Sequence, residues 1–266
     1  MDSIVCIKQV PDPETPPASF KIDPESKRAI PAKENPPVMS PFDEQAVEAA
    51  LRLKDAQGGK VTILSMGDAT AKDALKRALA MGADEAFLLV DDSFQGSDSY
   101  STAYILSQAI KKVGDFDFIF CGRQAADFDA GQVGSGIAEL LGIPSITVAQ
   151  KIEASDGKTK VERVTADGYE VLEAQLPVLI TVSNELGEPR YATLKGIMAA
   201  AKKEVPIWSA ADISADPSKI GSAGVKSKML KLFIPVRESK CEVIEGETLE
   251  EAAVNLALKL REVKII

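Results

Sequence analysis

Histidine is absent from all 266 residues of this chain. Because the imidazole titrates near neutral pH and binds metals readily, it is the side chain most suited to acid–base and metal chemistry. Its absence excludes histidine-based catalytic triads and histidine-rich metal sites. Aspartate, glutamate or lysine could still carry acid–base chemistry, but a chain without histidine is easier to explain if a bound cofactor supplies the reactivity.

Cysteine is scarce too, with only Cys6, Cys121 and Cys241 in the sequence. These residues form no C-x-x-C motif, so the spacing indicates neither a zinc site nor an iron–sulfur cluster. An odd, scattered count is typical of a reducing compartment. No basic residue or second cysteine is adjacent to Cys6 or Cys121, and we therefore expect both to pack as apolar residues rather than to act as redox thiols.

The chain also lacks an excess of positive charge. Its formal net charge of −9 argues against non-specific binding to nucleic acids. No apolar run is long enough to span a bilayer, and the first residues enter a strand-like segment without the basic and apolar regions of a signal peptide. We therefore expect a cytoplasmic protein with no nucleic-acid partner and no membrane span.

Two common phosphate-binding fingerprints are missing as well. No G-x-G-x-x-G motif follows the first predicted strand, and no Walker A motif occurs. The first absence weighs against an NAD-dependent dehydrogenase, and the second weighs against a P-loop enzyme. A nucleotide site in this chain would therefore need another phosphate-binding element.

The sequence does contain a regular alternation of apolar strands and amphipathic helices. Short apolar runs occupy positions 3–10, 60–64, 85–90 and 116–121, with apolar residues at helical spacing between them. This alternation predicts an α/β fold, with a Rossmann-like, doubly wound parallel sheet and helices on both faces.

Two features lie between the first predicted strand and the second. Residues 12–39 are rich in proline and show no period, which predicts a long irregular segment with at most a short extended piece at residues 21–23. Ser40 and Pro41 then have the residue types that favour a helix N-cap and first helical position.

The alternation changes after Pro144. The pairs Asp156-Gly157 and Asp167-Gly168 separate alternating runs, and such pairs are typical hairpin turns. Antiparallel strands should therefore extend the sheet. Residues 178–182 are apolar enough for an interior strand of that sheet.

The last third of the chain shows no strand–helix alternation. Residues 228–234 are a possible strand, and residues 248–263 have the spacing of a helix. We expect residues 1–204 to form a nucleotide- or flavin-binding α/β domain with a surface loop at about 184–203. Residues 205–266 should form a C-terminal extension or arm.

The strongest candidate site is the loop at residues 122–134, which leads from the fourth predicted strand into a helix. In a doubly wound sheet such loops lie where ligands bind, and a helix N-terminus there favours phosphate. The side chains and N–H groups that could contact a nucleotide belong to Gln124, Asp127, Asp129, Gln132, Val133, Gly134 and Ser135. From spacing alone, a nucleotide loop and an ordinary strand-to-helix connection are equally compatible with this stretch.

Two further stretches are weaker candidates. Residues 96–102 place several hydroxyl groups at a helix start, where N-capping alone is a sufficient explanation. The loops after the first four predicted strands share one sheet edge, however, and their convergence favours a nucleotide site. Leu194 begins an apolar patch that could bind a partner, although packing within its own chain is the simpler interpretation.

Taken together, these stretches resemble the beta subunit of electron transfer flavoproteins, over essentially the whole chain. The resemblance lies in residues 5–12, 41–54, 78–84, 122–134, 176–181 and 188–194, the last of these reading Glu188-Pro-Arg-Tyr-Ala-Thr-Leu194. It implies a heterodimer with a larger alpha subunit that carries an FAD, and a nucleotide-binding α/β domain in the beta subunit.

The family resemblance implies one of two cofactors in this domain: AMP in simple members or a second FAD in electron-bifurcating members. Residues 97–102 after Gly96 are similar to the bifurcating pattern. In that class NADH is the electron donor, and the electrons part between ferredoxin and, through the alpha-subunit FAD, an acyl-CoA dehydrogenase-type partner. A non-redox adenine-nucleotide-binding module on the same fold is the alternative.

The resemblance also implies individual roles. The residues that match the flavin-nucleotide pocket are Cys6, Met66, Asp91, Asp98, Thr102, Gln124, Ala125, Asp129, Gln132, Val133 and Gly134. Leu194 matches the leucine of the family's recognition loop, which docks into the dehydrogenase, and the last helix matches the arm that contacts the alpha subunit. The sequence departs from the family pattern at Ser40, where many members carry asparagine, and at Gly131, where some do.

Overall fold

Strands and helices alternate through the first half of the chain, as the sequence predicts. The computed structural model describes residues 1–32, 34–235 and 241–266; Lys33 and residues 236–240 of the expected arm lie outside the described residues. The strands are β1 Ser3–Ile7, β2 Gln9–Val10, β3 Lys21–Asp23, β4 Arg28–Ile30, β5 Val38–Met39, β6 Val61–Met66, β7 Glu85–Leu89, β8 Phe118–Gly122, β9 Ser145–Ser155, β10 Lys158–Thr165, β11 Gly168–Gln175, β12 Val178–Val182 and β13 Ile207–Trp208. The helices are α1 Pro41–Gln57, α2 Lys72–Met81, α3 Ser99–Val113, α4 Val133–Leu141, α5 Leu194–Lys202, α6 Gly221–Gly224 and α7 Leu249–Glu262.

A nine-stranded sheet forms the centre of the fold, in the order β11-β10-β9-β12-β8-β1-β6-β7-β13. The strands from β9 to β13 in this order run parallel, whereas β10 is antiparallel to both β9 and β11. The chain runs from β1 outward through β6 and β7, then returns to β8 on the other side of β1. The predicted doubly wound sheet and its antiparallel extension are therefore confirmed, and β1 and β8 flank the topological switch point.

Helices cover both faces of this sheet. The helices α1 and α2 pack on one face, where Phe118 and Phe120 of β8 point, and α3 and α4 pack on the other, where Ile119 and Cys121 point. Every residue of β1 and of β12 is buried. Burial on both faces explains why these strands appear in the sequence as continuous apolar runs rather than as alternating ones.

The segment predicted as irregular contains two small antiparallel ribbons. Strand β2 pairs with β5, and β3 pairs with β4. Strands of two or three residues are too short to show a period in the sequence. Ser40 does take the N-cap position of α1 with Pro41 following, but within the described chain its side chain makes no cap bond. Its hydroxyl instead accepts the N–H of Ala126, at 3.4 Å.

The segment at residues 205–231 packs with the sheet. Strand β13 pairs with β7, and the Trp208 ring stacks on Phe87 with the ring centroids 4.1 Å apart. The chain accordingly forms one compact unit at Met1–Lys231 and a second at Leu232–Ile266, so the first unit extends beyond the boundary expected near residue 204. The described residues 228–234 form no strand, and the sheet edge beside β7 is already occupied by β13.

The second unit contains α7, the predicted final helix. Thr248 caps it by accepting the N–H of Glu251, whose carboxylate in turn accepts the N–H of Glu247. The apolar residues of this helix are largely exposed, with Leu249 at 87% and Leu256 at 47%. Among the described helices, none combines the length and the apolar character needed to cross a membrane.

Candidate functional site

Doubly wound sheets have their ligand crevice at the switch point, which here lies at the carboxyl ends of β1 and β8. Asp43, in the first turn of α1, joins the two strand ends: its carboxylate accepts the N–H of Lys8 at 2.7 Å and the N–H of Gly122 at 3.1 Å. The Asp43 side chain is almost completely buried. It therefore fixes the spacing of the two strands at the point where a doubly wound sheet binds its ligand.

Burial sets the protonation of this carboxyl group. It raises the pKa of Asp43 to about 7, against the opposing effects of the two N–H groups and of the Lys8 charge. A carboxyl group with a pKa near neutrality in a crevice is typical of functional sites, although structural carboxylates can be shifted as well. Sequence reasoning missed Asp43 as a site residue; its position three residues after Ser40, at a helix start, was the available signal.

Gly122 is required at the end of β8 because α1 lies against it. A Cβ atom at this position would lie 2.6 Å from Oδ1 of Asp43 and 2.8 Å from the backbone carbonyl carbon of Phe42. Both distances are far below van der Waals contact. The first glycine of the predicted nucleotide loop therefore allows a close helix–strand approach, one of the known uses of glycine in such loops.

The loop that follows, residues 123–132, is named here the β8–α4 loop. Lys8 Nζ lies 2.5 Å from Oδ2 of Asp127 and 5.3 Å from the ring centroid of Phe128, which is half exposed. Gln124 donates through Nε2 to Oδ1 of Asp129 at 2.8 Å, and Asp129 has a left-handed φ of 51°. These contacts hold the loop in a defined conformation above the crevice.

The β8–α4 loop leaves polar groups without partners. In the described chain, Oδ1 of Asp127 and Nε of Arg123 are buried and make no hydrogen bond. Gln132 takes the N-cap position of α4, yet no described side chain caps this helix. Gly134 brings the helix close to the sheet, since a Cβ there would lie 2.7 Å from Cγ2 of Thr181. The arrangement suits an anionic ligand with hydrogen-bonding groups.

A second loop at the same sheet edge, residues 90–98, leads from β7 into α3 and is named here the β7–α3 loop. Asp98 caps α3 by accepting the N–H of Ser101 at 3.0 Å. Its other oxygen accepts the N–H groups of Lys226 at 2.7 Å and Ser227 at 2.8 Å, together with the Ser227 hydroxyl. Burial alone would raise the pKa of Asp98, but these donors outweigh it and lower the pKa.

Asp91 also accepts hydrogen bonds, both from its own loop and from residues 205–231. One of its oxygens accepts the N–H of Ala210 at 2.9 Å, and the other accepts the N–H and hydroxyl of Ser93. The bond from Ala210, followed by those from Ser93, lowers the pKa of Asp91. Both predicted pocket carboxylates of the β7–α3 loop therefore hold residues 205–231 against the sheet.

The two loops are not neighbours in the sheet, because β1 and β6 lie between β7 and β8. The helices that they begin are nevertheless packed together. A Cβ on Gly136, in the first turn of α4, would lie 2.9 Å from Cβ of Ala103 in α3. The helix starts thus converge on one face. Near them, the buried hydroxyl groups of Ser65 and Ser101 make no hydrogen bond in the described chain, a feature that sequence reasoning missed.

The remaining predicted pocket residues lie on the same edge. Met66 ends β6, Thr102 lies in the first turn of α3, and both are partly buried. Cys6 and Cys121 are buried, as expected, but they are not isolated: they are register partners on β1 and β8. The hydrogen bond with the Cys6 thiol, together with burial, raises the pKa of Cys121 well above its usual value.

The predicted partner-binding residue lies elsewhere on the first unit. Thr193 caps α5 by accepting the N–H of Gly196 at 3.0 Å. Leu194 is 75% exposed, and Ile197 and Met198 are more than half exposed as well. The interpretation that Leu194 packs within its own chain is therefore wrong, and α5 presents an apolar face to its surroundings.

Known proteins share this sequence over nearly its whole length. A family model described as "Electron transfer flavoprotein domain" matches residues 31–213. The electron transfer flavoprotein subunit beta of Megasphaera elsdenii is 46% identical over 261 residues, which cover 96% of this chain and 95% of that protein.

Two more relatives have names that refer to reductase complexes. The caffeyl-CoA reductase–Etf complex subunit CarD of Acetobacterium woodii is 41% identical over 267 residues and aligns over the full length of both chains. The acryloyl-CoA reductase electron transfer subunit gamma of Anaerotignum propionicum is 36% identical over 269 residues, covering 98% of each chain. The similarity therefore extends over both units of the structure.

Proposed function

This chain belongs to the electron transfer flavoprotein family as a beta subunit, and on that premise we propose that its crevice binds FAD within a heterodimer with a larger alpha subunit. The chemistry that FAD supplies when bound is uptake of a hydride from NADH, with one electron passing to ferredoxin and one, through the alpha-subunit FAD, to an acyl-CoA dehydrogenase- or reductase-type partner. A cytoplasmic location is part of the same proposal.

The uncapped N-terminus of α4 is the observation that carries the proposal. The N–H groups of Val133, Gly134 and Ser135 have no intrahelical acceptors, and the helix dipole adds partial positive charge there. We assign to them the pyrophosphate of the cofactor. The close approach of α4 to the sheet at Gly134 supports this assignment because it brings these donors to the crevice.

The β8–α4 loop supplies the groups for the adenosine part. Gln124 and Asp129 already form a hydrogen-bonded pair whose remaining acceptor and donor atoms can bind ribose hydroxyls or the adenine edge. Ala125 and Gln132 flank this pair in the loop. Asp43 acts below them by holding the two strand ends, so that the loop and α4 keep a fixed distance from the β1 end.

The opposite wall would receive the flavin end of the cofactor. Thr102 can donate or accept hydrogen bonds, and Met66 provides apolar, polarisable surface; both are partly buried. Cys6 is buried, so its contact with the cofactor stays a prediction. The carboxylates of Asp91 and Asp98 hold this wall in place, and a direct contact between them and the cofactor stays a prediction.

Counting cofactors tests this assignment. The complex with the alpha subunit is purified, denatured, and its nucleotides are separated by chromatography. Two FAD molecules per heterodimer are expected. One FAD and one AMP would contradict the bifurcating class while leaving the family membership intact. An ATP or AMP without any flavin, in a chain that needs no partner, would instead support a non-redox nucleotide-binding module.

We also propose that the apolar face of α5 docks the acyl-CoA dehydrogenase- or reductase-type partner, with Leu194 at its centre. The names of the caffeyl-CoA and acryloyl-CoA reductase relatives support a partner of this kind. Leu194→Ala should slow electron delivery to that partner while the flavin content stays normal. Val171→Ala, which shortens another half-exposed apolar side chain on β11, is the matched control. An unchanged transfer rate in Leu194→Ala would contradict the docking role.

The second unit has the features of a surface for the alpha subunit. On α7, Leu249, Val254 and Leu258 are all more than half exposed, as are Ile265 and Ile266 after it. Such a cluster is typical of a surface that is covered in a permanent complex. Removal of residues 241–266 should weaken assembly with the alpha subunit, measured by size-exclusion chromatography of the co-expressed subunits.

A further inference from the structure

The surface segment at residues 187–203, named here the docking segment, is tied to the body of the protein at both ends. It contains Tyr191, which is 89% exposed, and Leu194. Neither side chain is held by packing of its own at such exposure. Their positions must therefore be set by whatever fixes the backbone on either side of them.

A buried glutamate holds the first end. The side chain of Glu48, in α1, is only 6% exposed. Its carboxylate accepts Nε of Arg52 at 2.8 Å, Nε of Arg190 at 2.7 Å and the N–H of Arg190 at 3.1 Å. Arg52 in turn donates to the carbonyl oxygens of Leu186 at 2.8 Å and Glu188 at 3.2 Å. One carboxylate thus organises two guanidinium groups around the entry to the segment.

The two arginine charges favour the ionised form of Glu48, which accepts the hydrogen bonds from Arg52 and Arg190. Burial alone would raise the pKa of Glu48, but the Arg190 and Arg52 guanidinium groups outweigh it and lower the pKa. Arg190 is further paired with Asp55, with 2.8 Å between Nη2 and Oδ2. A bidentate, charge-assisted arrangement of this kind is among the strongest hydrogen-bonding patterns in proteins.

Lysines and a glycine hold the second end. Lys76 donates to the carbonyl oxygen of Ala200 at 2.7 Å, at the C-terminus of α5. Lys203 donates to the carbonyl oxygens of Ala83 and Asp84, both at 2.8 Å. Gly196 lets α5 lie directly on α2, since a Cβ there would lie 2.3 Å from the carbonyl oxygen of Ala80. Only residues 188–193 depend on the glutamate cluster alone.

We propose that Glu48 is a positioning residue for partner docking: through Arg190 and Arg52 it fixes the backbone that presents Tyr191 and Leu194. The inference rests on the proposed docking function of α5. An apolar anchor binds more tightly when its backbone is ordered before contact, because less conformational entropy is lost on association. Glu48 itself is buried, so its effect on docking is indirect.

The test compares Glu48→Gln with Glu170→Gln in the purified alpha–beta complex. Glutamine keeps the shape of Glu48 but presents an NH2 group to the arginines. Glu170→Gln is the control because it makes the same change of charge at an exposed ion pair, between Glu170 on β11 and Arg163 on β10. We expect Glu48→Gln to raise the KM for the electron-accepting dehydrogenase about tenfold, equivalent to about 1.4 kcal/mol, with little change in kcat or in flavin content. Glu170→Gln should change neither constant.

Two further readouts separate positioning from general destabilisation. Amide hydrogen exchange at residues 187–193 should accelerate in Glu48→Gln while exchange in β1 and β8 stays slow. A triple variant that adds Glu48→Gln to Tyr191→Ala and Leu194→Ala should be no worse than the Tyr191→Ala/Leu194→Ala double variant, because misplaced anchors and missing ones remove the same contacts. Arg190→Lys keeps the Glu48–Arg52 pair and serves if Glu48→Gln does not fold; it should give the same pattern more weakly.

The outcomes are distinct. A normal KM in Glu48→Gln beside a raised KM in Leu194→Ala would overturn the positioning role and leave the docking proposal intact. A further loss when Glu48→Gln is added to the Tyr191→Ala/Leu194→Ala double variant would overturn it too, since it would mean that Glu48 acts elsewhere. Normal kinetics in Leu194→Ala would overturn the docking proposal and, with it, the role assigned to Glu48.

Discussion

The β7–α3 and β8–α4 loops both contain aspartates, lead into a helix and lie on the same sheet edge, yet they differ in which groups bond to them. The acidic groups of the first are bonded by the chain itself: Asp98 accepts from Lys226 and Ser227, and Asp91 accepts from Ala210. The second ends at a helix that no described side chain caps and contains buried polar atoms without partners.

Aspartates before a helix start therefore do not by themselves identify a ligand site. An aspartate-containing loop is a structural element when distant backbone N–H groups bond to it, and is available for binding when they do not. Here residues 205–231 bond to the β7–α3 loop and not to the β8–α4 loop in the described chain. Variants in the two loops test whether the first is structural and the second binds the ligand.

The largest effect is expected at the base of the open loop. In Gly122→Ala the new methyl group would lie 2.8 Å from backbone of Phe42, so α1 or β8 must move. We expect the free energy of unfolding to fall by about 3 kcal/mol, measured by urea denaturation. Gly142→Ala is the control: its φ is left-handed at 68° but nothing lies within 4 Å, so only about 1 kcal/mol should be lost. Equal losses would mean that close approach does not matter at Gly122.

The next effect tests whether the β7–α3 loop is structural. Asp98→Ala removes the α3 cap and the acceptor for Lys226 and Ser227. The unfolding free energy should fall by about 2 kcal/mol, while nucleotide affinity of the folded protein changes less than in the next variant. A stable protein that has lost its nucleotide would reverse the assignment and make Asp98 a contact residue.

A smaller effect, on binding alone, is expected in the β8–α4 loop. Asp129→Ala should weaken nucleotide binding about tenfold, or about 1.4 kcal/mol, with stability nearly unchanged. Calorimetry of nucleotide binding to the cofactor-depleted complex measures it. Asp156→Ala is a matched control, since both aspartates have a φ of 51° and Asp156 lies in a hairpin away from the crevice. Full affinity in Asp129→Ala would show that this side chain is not a ligand contact.

The last prediction concerns pH. The pKa of Asp43 is raised from 3.8 to about 7 in the folded protein, so the folded state retains a proton that the unfolded state loses. The contribution of this carboxyl group to stability is therefore complete below pH 4 and declines until the pH passes about 7, by at most about 1.4 kcal/mol per pH unit. From pH 4 to about 7 the unfolding free energy of wild type should fall relative to that of Asp43→Asn, and the difference between the two should be constant from there to pH 8. A difference that is constant over the whole range would contradict the shifted pKa.

The sequence was sufficient for the parts of the fold that depend on local pattern. Buried parallel strands, Asp-Gly hairpins and the long loop before α4 all leave a signature within a few residues. The location of the candidate site followed from topology, because loops after parallel strands share one edge. Leu194 was located correctly, but only the structure distinguished exposure from packing.

The features that could not be predicted from the sequence depend on contacts between residues far apart in the chain. Cys6 lies opposite Cys121 only because β1 and β8 pair in this register. Asp98 accepts hydrogen bonds from Lys226 and Ser227 only because the chain returns to it 128 residues later. Strand β13 has two residues and exists because β7 offers a free edge. Such contacts carry no periodic signal, and neither does the absence of a cap on α4.

The stacking of Trp208 on Phe87 gives the protein an internal optical reporter. Trp208 is the single tryptophan of the sequence, and it lies two residues before Ala210, whose N–H binds Asp91. Lys112 lies over the same indole, 4.6 Å from the ring centroid. The tryptophan fluorescence of this chain therefore reports on one contact, the packing of residues 205–231 against the edge of the sheet. Emission recorded during cofactor release or partner binding would show whether that packing changes when the crevice loses its cofactor or a partner binds.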